Sequence, residues 1–519
     1  MNELGFHSYA RRDPDAVAII DSRGERWSRG RLAALVHRTA RSFLAAGLSP
    51  GDSVAIVAPN CAEYLAVYLA GIDAGLYVVP VNWHLADEEV AFVLGDCGAK
   101  AVVAHERLGP IRLAALRAHA GHALVLACIG RAPGFASLRE LVAPRPARPV
   151  EGLPRGRVMP YTSATTGRPK AVRLPVANAE AALRKTIAWH ESLGIEPASG
   201  NVHLCASMLY HSAPLDGAVI ALHMGHCVVL ADRSEPETLL RVIEHCRVTT
   251  TFMVPAMFVR LLKLPYATRH RYSAASLRFV VHGGAPCPVD VKRRMLEWWG
   301  PIVWEGYGAA EAQGTIVGPR DWLAYPGTVG TPIPGSAIKI FDDAGRELPA
   351  GREGLVYIKP HTGDRFEYKG DPEKTAASRR GDFVTVGDIG YLNERGLLFI
   401  RDRRSDLILS SGMNIYPAEI EQVLVQHPAV ADCAVVGVPH ELFGEVPKAV
   451  VQPAPGAAAG PPMTAELLRF LSERLSAMKL PKRFEYMDAI PRDPNGKLYR
   501  RLLREPGSAG SAVRREERA

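Results

Sequence analysis

YTSATTGRPK, from Tyr161 to Lys170, sets the hydroxyls of Thr162, Ser163, Thr165 and Thr166 beside Gly167 and Lys170. Hydroxyls donate to phosphate oxygens, a glycine lets the backbone approach an anion closely, and a lysine adds a point charge. The stretch therefore reads as a loop for holding a polyphosphate. Apolar residues in Arg157 to Tyr161 predict a short strand ahead of it, so that the loop hangs from a sheet edge. The P-loop of the NTPases is a poor match, because it requires Gly-Lys followed by Ser or Thr. Here Arg168 and Pro169 separate Gly167 from Lys170, and Ala171 follows.

The rest of the chain fits a soluble α/β protein. With 519 residues, 47% hydrophobic and 22% charged, it is long enough for two or more cores and is not a disordered chain. A net charge of +8 favours anionic ligands, but the basic residues are scattered without interleaved aromatics, which argues against a nucleic-acid partner. The eight cysteines form no CxxC pair and do not cluster with histidines, so neither zinc nor a disulfide framework is predicted. Reduced thiols in a cytoplasmic protein are the expectation. Charges at Glu3, Arg11, Arg12 and Asp13 argue against a secretory signal, and no stretch reaches the roughly 20 apolar residues of a membrane span.

β-branched runs at Val54 to Val57, Tyr77 to Val81 and Ala101 to Ala104 alternate with helical patterns such as Cys61 to Ala74, which Gly75 should end. That alternation predicts layered α/β structure with largely parallel sheet. Arg131 to Arg157, rich in Pro, Gly and Arg, reads as a surface connection. From Ile338 the pattern changes to antiparallel hairpins with turns at Asp343 to Gly345 and Pro349 to Gly354. The last hundred or so residues, with strands at Ala434 to Val438 and Ala449 to Gln452 and a helix near Thr464 to Met478, suit a small α+β domain. The tail from about Pro506 is expected to be disordered.

Five further segments follow the Tyr161 to Lys170 loop: HGGAP at His282 to Pro286, EGYGAAE at Glu305 to Glu311, VGDIGYL at Val386 to Leu392, RDRRSDLILSSGMNIYPAEIE at Arg401 to Glu421, and PRDPNGK at Pro491 to Lys497. In this order the set resembles the adenylate-forming superfamily of acyl-CoA synthetases, adenylation domains and luciferases. The resemblance covers nearly the whole chain. It implies a large, multi-subdomain N-terminal domain, 1–403, with layered sheets and helices, and a small mobile C-terminal cap, 404–519, with a hinge near Ser405. It also implies ATP and Mg²⁺ as cofactors, CoA as co-substrate, a small carboxylic acid substrate, and a monomer or homodimer.

The same resemblance implies the site. Thr162 to Gly167 and Lys170 would hold the β and γ phosphates, and Glu311 would ligate Mg²⁺, an ion that accepts carboxylate oxygens. Tyr307, with Gly308 and Glu305 beside it, would stack on adenine, bordered by Gly283, Gly284 and Ala285. Asp388 would accept the ribose hydroxyls, supplemented by Arg403. Lys497 would bridge the substrate carboxylate and the α-phosphate, and His211 would gate a pocket formed with Val254 to Met257, Gly283 to Pro286 and Tyr307 to Ala310. Lys497, Glu311, Lys170 and His211 are thus the candidate catalytic residues.

Ala164 replaces a glycine of the family pattern, Ala310 a threonine before Glu311, and Ser405 the usual Asp or Lys; Ser411 and Met413 alter the segment lining the thiol tunnel. Adenylation is therefore the firmer expectation and transfer to CoA the looser one. The leading reading is a carboxylate:CoA ligase for a fatty, aryl or amino-aryl acid. Alternatives are a carrier-protein or amine ligase, an ATP- and nitrite-dependent aromatic-amine diazotase, or a nucleotide-binding pseudoenzyme.

Overall fold

The β-branched runs become the parallel strands Ser53–Val57, Tyr77–Pro80 and Ala99–His105, the centre of a six-stranded sheet. The computed structural model describes residues 5–162, 169–232, 235–410, 413–492, 496, 498–504 and 515–518. Between the first two strands runs the helix Ala62–Asp73, in which every residue except Glu63 and Asp73 is buried. A helix apolar on all sides belongs inside a protein. This one joins a single apolar cluster drawn from two sheets. The predicted stop follows at Gly75, at φ +78°.

The second sheet has nine strands, in the order Thr331–Pro332, Gln313–Val317, Val303–Gly308, Phe279–His282, Thr250–Met253, Val202–Cys205, Cys227–Leu230, Val17–Ile20 and Arg26–Ser28. From Val303–Gly308 to Val17–Ile20 all neighbours are parallel. The C-terminal ends of these strands therefore share one edge. Three of them lead directly into Val254 to Met257, Gly283 to Pro286 and Ala309 to Ala312.

The strand expected over Arg157 to Tyr161 divides in two. Arg157–Val158 lies parallel to Tyr77–Pro80, whereas Tyr161–Thr162 pairs antiparallel with Lys170–Arg173 in a separate three-stranded sheet. Pro160 stands at the break, where its missing N–H ends one ladder. Tyr161–Thr162 is an edge strand, as the sequence suggested. The connection before it is less irregular than expected, with a helix at Leu138–Val142.

The predicted hairpin forms from Ala337–Phe341 and Gly354–Lys359. In the C-terminal part, Val430–His440 and Gly444–Pro453 make a long antiparallel pair that Arg483–Tyr486 joins in parallel. The expected helix over 464–478 is instead Pro461–Ser472, followed by a 3₁₀ turn at Ala477–Lys479. It begins earlier because proline is tolerated at a helix's first turn, where no N–H is needed. Within the tail, Arg515–Arg518 pairs antiparallel with Arg483–Tyr486, and 505–514 lie outside the described residues. Among the described residues no helix is long and apolar enough to cross a membrane.

Beneath the nine-stranded sheet lies a charge that the sequence did not announce. Lys292, on the helix Val289–Trp299, is fully buried, with Nζ 2.8 Å from Glu305 Oε2 and 4.7 Å from the centroid of Trp322. His282 Nε2 lies 3.5 Å from the same oxygen. Burial lowers the Lys292 ammonium and raises the Glu305 carboxyl, and their contact opposes both effects. Lys292→Met should leave the Glu305 carboxylate uncompensated and lower stability by about 3–5 kcal/mol in urea unfolding, and Lys292→Met combined with Glu305→Leu should recover most of that loss.

Candidate active site

The three loops open into a cleft of about 2370 Å³, lined also by Arg403, Ser405, Asn414, Tyr416, Gly496 and Leu498. Single small-molecule pockets are typically about 300–1,000 Å³, so this cleft has room for more than one ligand. Its shape depends on glycines. A Cβ at Gly283 would lie 2.5 Å from the carbonyl oxygen of Gly306, and Gly284 has φ +79°. Only glycine admits such an approach and such a conformation without strain.

Asp388 and Arg403 are cross-strand partners in the antiparallel pair Asp388–Leu392 and Leu398–Arg403. Register alone brings their side chains together, with Arg403 Nε 3.3 Å from Asp388 Oδ1. The Tyr307 hydroxyl donates to Asp388 Oδ2 at 2.7 Å. Burial, then the Asp388 carboxylate, raises the Tyr307 phenol well above its ordinary pKa, so it remains a donor. Each carboxylate oxygen has two lone pairs, which leaves Asp388 able to accept further hydroxyls.

Glu311 projects from the turn between Val303–Gly308 and Gln313–Val317, where Ala309 and Ala312 exchange backbone hydrogen bonds at 2.8 and 3.2 Å. It is 7% exposed and accepts from the Tyr368 hydroxyl at 2.8 Å. Beside it two ammonium groups converge. Lys170 Nζ is 3.0 Å from Asp371 Oδ2 and 6.0 Å from the centroid of Tyr368, and Lys374 Nζ is 5.1 Å from the same ring. Burial, then the neighbouring Lys170 ammonium, pushes Lys374 down to about 8. Paired cations next to a carboxylate suit a polyphosphate with its metal. Mg²⁺ usually keeps several waters and takes one or two protein carboxylates plus phosphate oxygens, so a single buried Glu311 fits it.

Of the other predicted residues, His211 half-buries its ring 4.5 Å from that of Tyr210 and lines the cleft at the start of the helix Ser212–His223. Gly284, Ala285, Glu305 and Gly308 also line it. Glu305, grouped with the nucleotide residues from sequence, has Oε2 in its ion pair with Lys292. Thr162 lines the cleft. Ser163, Ala164, Thr165, Thr166, Gly167, Ser411 and Lys497 lie outside the described residues. Gly496 and Leu498, on either side of Lys497, both line the cleft, and a Cβ on Gly496 would lie 2.7 Å from that of Ala256. Sequence reasoning missed Tyr368, Asp371 and Lys374, which lie between the quoted segments, and Lys292, a single lysine in a helix.

Two carboxylates, paired lysines and the Gly496 turn around one cleft have the chemistry an adenylate-forming ligase needs. The comparison with known proteins agrees: the AMP-binding enzyme model matches residues 6–362 and its C-terminal domain model residues 419–497. The chain belongs to the AMP-binding enzyme family and is an AMP-forming ligase of the adenylate-forming superfamily. It is 33% identical over 506 residues to the fatty acid–[acyl-carrier-protein] ligase ScoC of Streptomyces coeruleorubidus, covering 96% of this chain and 95% of that one. It is 34% identical over 505 residues to a feruloyl-CoA synthase of Amycolatopsis sp, covering 95% and 96%. Among solved structures, ATP-bound MatB from Rhodopseudomonas palustris matches with a TM-score of 0.83 and 30% identity over 96% of this chain and 98% of that one.

Asp388→Ala should raise the KM for ATP about tenfold or more through the lost hydroxyl contacts, with a smaller change in kcat. Lys374 is charged below its pKa of about 8 and neutral above it. The KM for ATP should therefore rise between about pH 7 and 9, and Lys374→Arg, which keeps its charge, should flatten that rise.

Proposed function

We propose that the protein activates a carboxylic acid with ATP and transfers the acyl group to CoA, releasing AMP and pyrophosphate. The observation that carries this reading is the convergence on one cleft of Asp388 with Tyr307 and Arg403, Glu311 with Lys170 and Lys374, and the Gly496 turn of the C-terminal part. In the first half-reaction a carboxylate oxygen attacks the α-phosphorus of ATP, the bond to the bridging oxygen breaks, and pyrophosphate leaves. Asp388 and Tyr307 fix the nucleoside. Lys170 and Lys374 take the charge that develops on the departing phosphates, where preformed cations stabilise a transition state best. Glu311 would hold Mg²⁺, which supplies further neutralisation of phosphate charge when bound. Lys497 bridges the carboxylate and the α-phosphate and so brings both anions together.

In the second half-reaction the CoA thiol attacks the acyl carbonyl, the thiol proton is lost, and AMP leaves. Residues 1–403 act as one domain and 404–519 as a cap that turns about Ser405. The last strand before that point ends at Arg403 and the next begins at Ile408 in a different sheet, which supports a boundary there. A carrier-protein thiol is the second reading for the acceptor. It is favoured by the likeness to a ligase named for an acyl-carrier protein and by Met413 in the thiol segment.

Pyrophosphate release is the measurement that tests these readings, with ATP, Mg²⁺ and a panel of fatty, aryl and amino-aryl acids, each with and without CoA, a carrier protein or nitrite. Acid-dependent release, with acyl-CoA formed when CoA is present, is expected. Acyl transfer to the carrier alone would favour the second reading, and release that requires nitrite would overturn both. Lys497→Ala should cut adenylate formation to a small residual rate while ATP still binds; unchanged turnover in that variant would overturn the assignment of Lys497.

A further inference from the structure

The helix Pro255–Leu262 borders the cleft, and Lys263 follows its last turn. Lys263 Nζ donates to the carbonyl oxygen of Val430 at 2.8 Å and also to that of Ala431. Both carbonyls stand at the start of Val430–His440, in the sheet of the C-terminal part. The next residue, Asp432, receives both arms of one guanidinium: Arg492 Nε reaches Oδ2 at 2.6 Å and Nη2 reaches Oδ1 at 2.9 Å. Arg492 also donates from Nη2 to the carbonyl of Cys433 at 3.0 Å and from Nη1 to that of Gly496 at 3.0 Å. Gly496 then returns to the starting helix, because a Cβ there would meet that of Ala256 at 2.7 Å.

These contacts close a circuit from one helix, through Lys263, the 430–432 backbone, Arg492 and Gly496, back to that helix. Its parts differ in kind. The Arg492 portion lies within the C-terminal part and has the planar, two-pronged geometry that fixes orientation as well as distance. The Lys263 portion crosses between the two parts and is made to carbonyl oxygens, so it constrains where the C-terminal part sits without depending on any side chain there. An exposed lysine between charged neighbours usually contributes little. This one is set apart by donating to two successive carbonyls, immediately before the carboxylate that anchors Arg492.

We propose that Lys263 and Arg492 are positioning residues that lock the C-terminal part against the cleft during adenylate formation and hold Gly496, whose next residue is Lys497, at its mouth. This inference rests on the reading above that Lys497 acts in the first half-reaction. Neither residue touches substrate in it: both act through the turn.

The experiment compares Lys263→Met, Lys263→Arg and Arg492→Met, alone and in Lys497→Ala, by pyrophosphate release with ATP, Mg²⁺ and the acid from the panel that supports the fastest release. Loss of a charged hydrogen bond should lower kcat about tenfold in Lys263→Met and at least as much in Arg492→Met. The KM for ATP should stay within about twofold, because the lock acts on the turn rather than on nucleotide binding. Lys263→Arg, which keeps a cationic donor, should restore most of the rate. In Lys497→Ala, the residual rate followed over hours should not fall further on adding Lys263→Met.

Wild-type kcat in Lys263→Met, a rise in KM alone, or an equal loss in the Lys497→Ala background would overturn the proposal. Should Arg492→Met fail to fold, Lys263→Met tests the same circuit from the surface, its thermal midpoint serving as the control. A folded Lys263→Met whose lost rate Lys263→Arg does not restore would also overturn it. Full turnover in Lys497→Ala would instead overturn the functional reading, and the lock with it.

Discussion

Parallel pairing in the nine-stranded sheet is the constraint on which the rest of the molecule depends. Parallel strands leave their C-terminal ends on one edge, where the next loop begins before any ladder can satisfy its backbone groups. Met253, His282 and Gly308 end three such strands, and the loops after them line one cleft. Close approach between neighbouring loops then demands glycine. Gly283 meets the Gly306 carbonyl so closely that no side chain would fit.

The electrostatics of the cleft follow from how each charge is held. Asp388 and Glu311 each accept a phenolic hydroxyl, from Tyr307 and Tyr368. A phenol hydrogen bond orients a carboxylate while leaving lone pairs on its oxygens for a ligand. Glu305, one strand position from Gly306, is treated differently. Its partner is the buried Lys292, and the pair supports the sheet from below. Glu305 and Glu311, two residues before Tyr307 and four after it on the same hairpin, thus acquire different tasks from what surrounds them.

Among the described residues, the C-terminal part meets the rest of the molecule through backbone groups as well as side chains. Lys263 reaches carbonyls of Val430 and Ala431, and Gly496 packs against Ala256. Tyr416, just before the helix Pro417–Leu424, donates to Glu353 at 3.1 Å.

The alternation of β-branched runs with an apolar helix was legible from residue types, because strand and helix periodicity and the Gly75 stop are local properties. So were the ordered segments that mark the family, and with them Asp388, Arg403, Glu311 and Lys170. The division of the predicted strand at Pro160 was not read, although proline is a local signal, because which sheet each half joins depends on distant strands. Lys292, Tyr368, Asp371, Lys374 and the circuit through Lys263 and Arg492 had no signature at all. Lys263 and Val430 are 167 residues apart, and Tyr368 and Glu311 are 57 apart. The sequence by itself determined the element types, the family and the residues carried by its motifs, since these are written in short-range pattern. Only the tertiary structure decided which charges pair, which are buried and which hold the two parts together, because those depend on distances between segments that no spacing along the chain encodes.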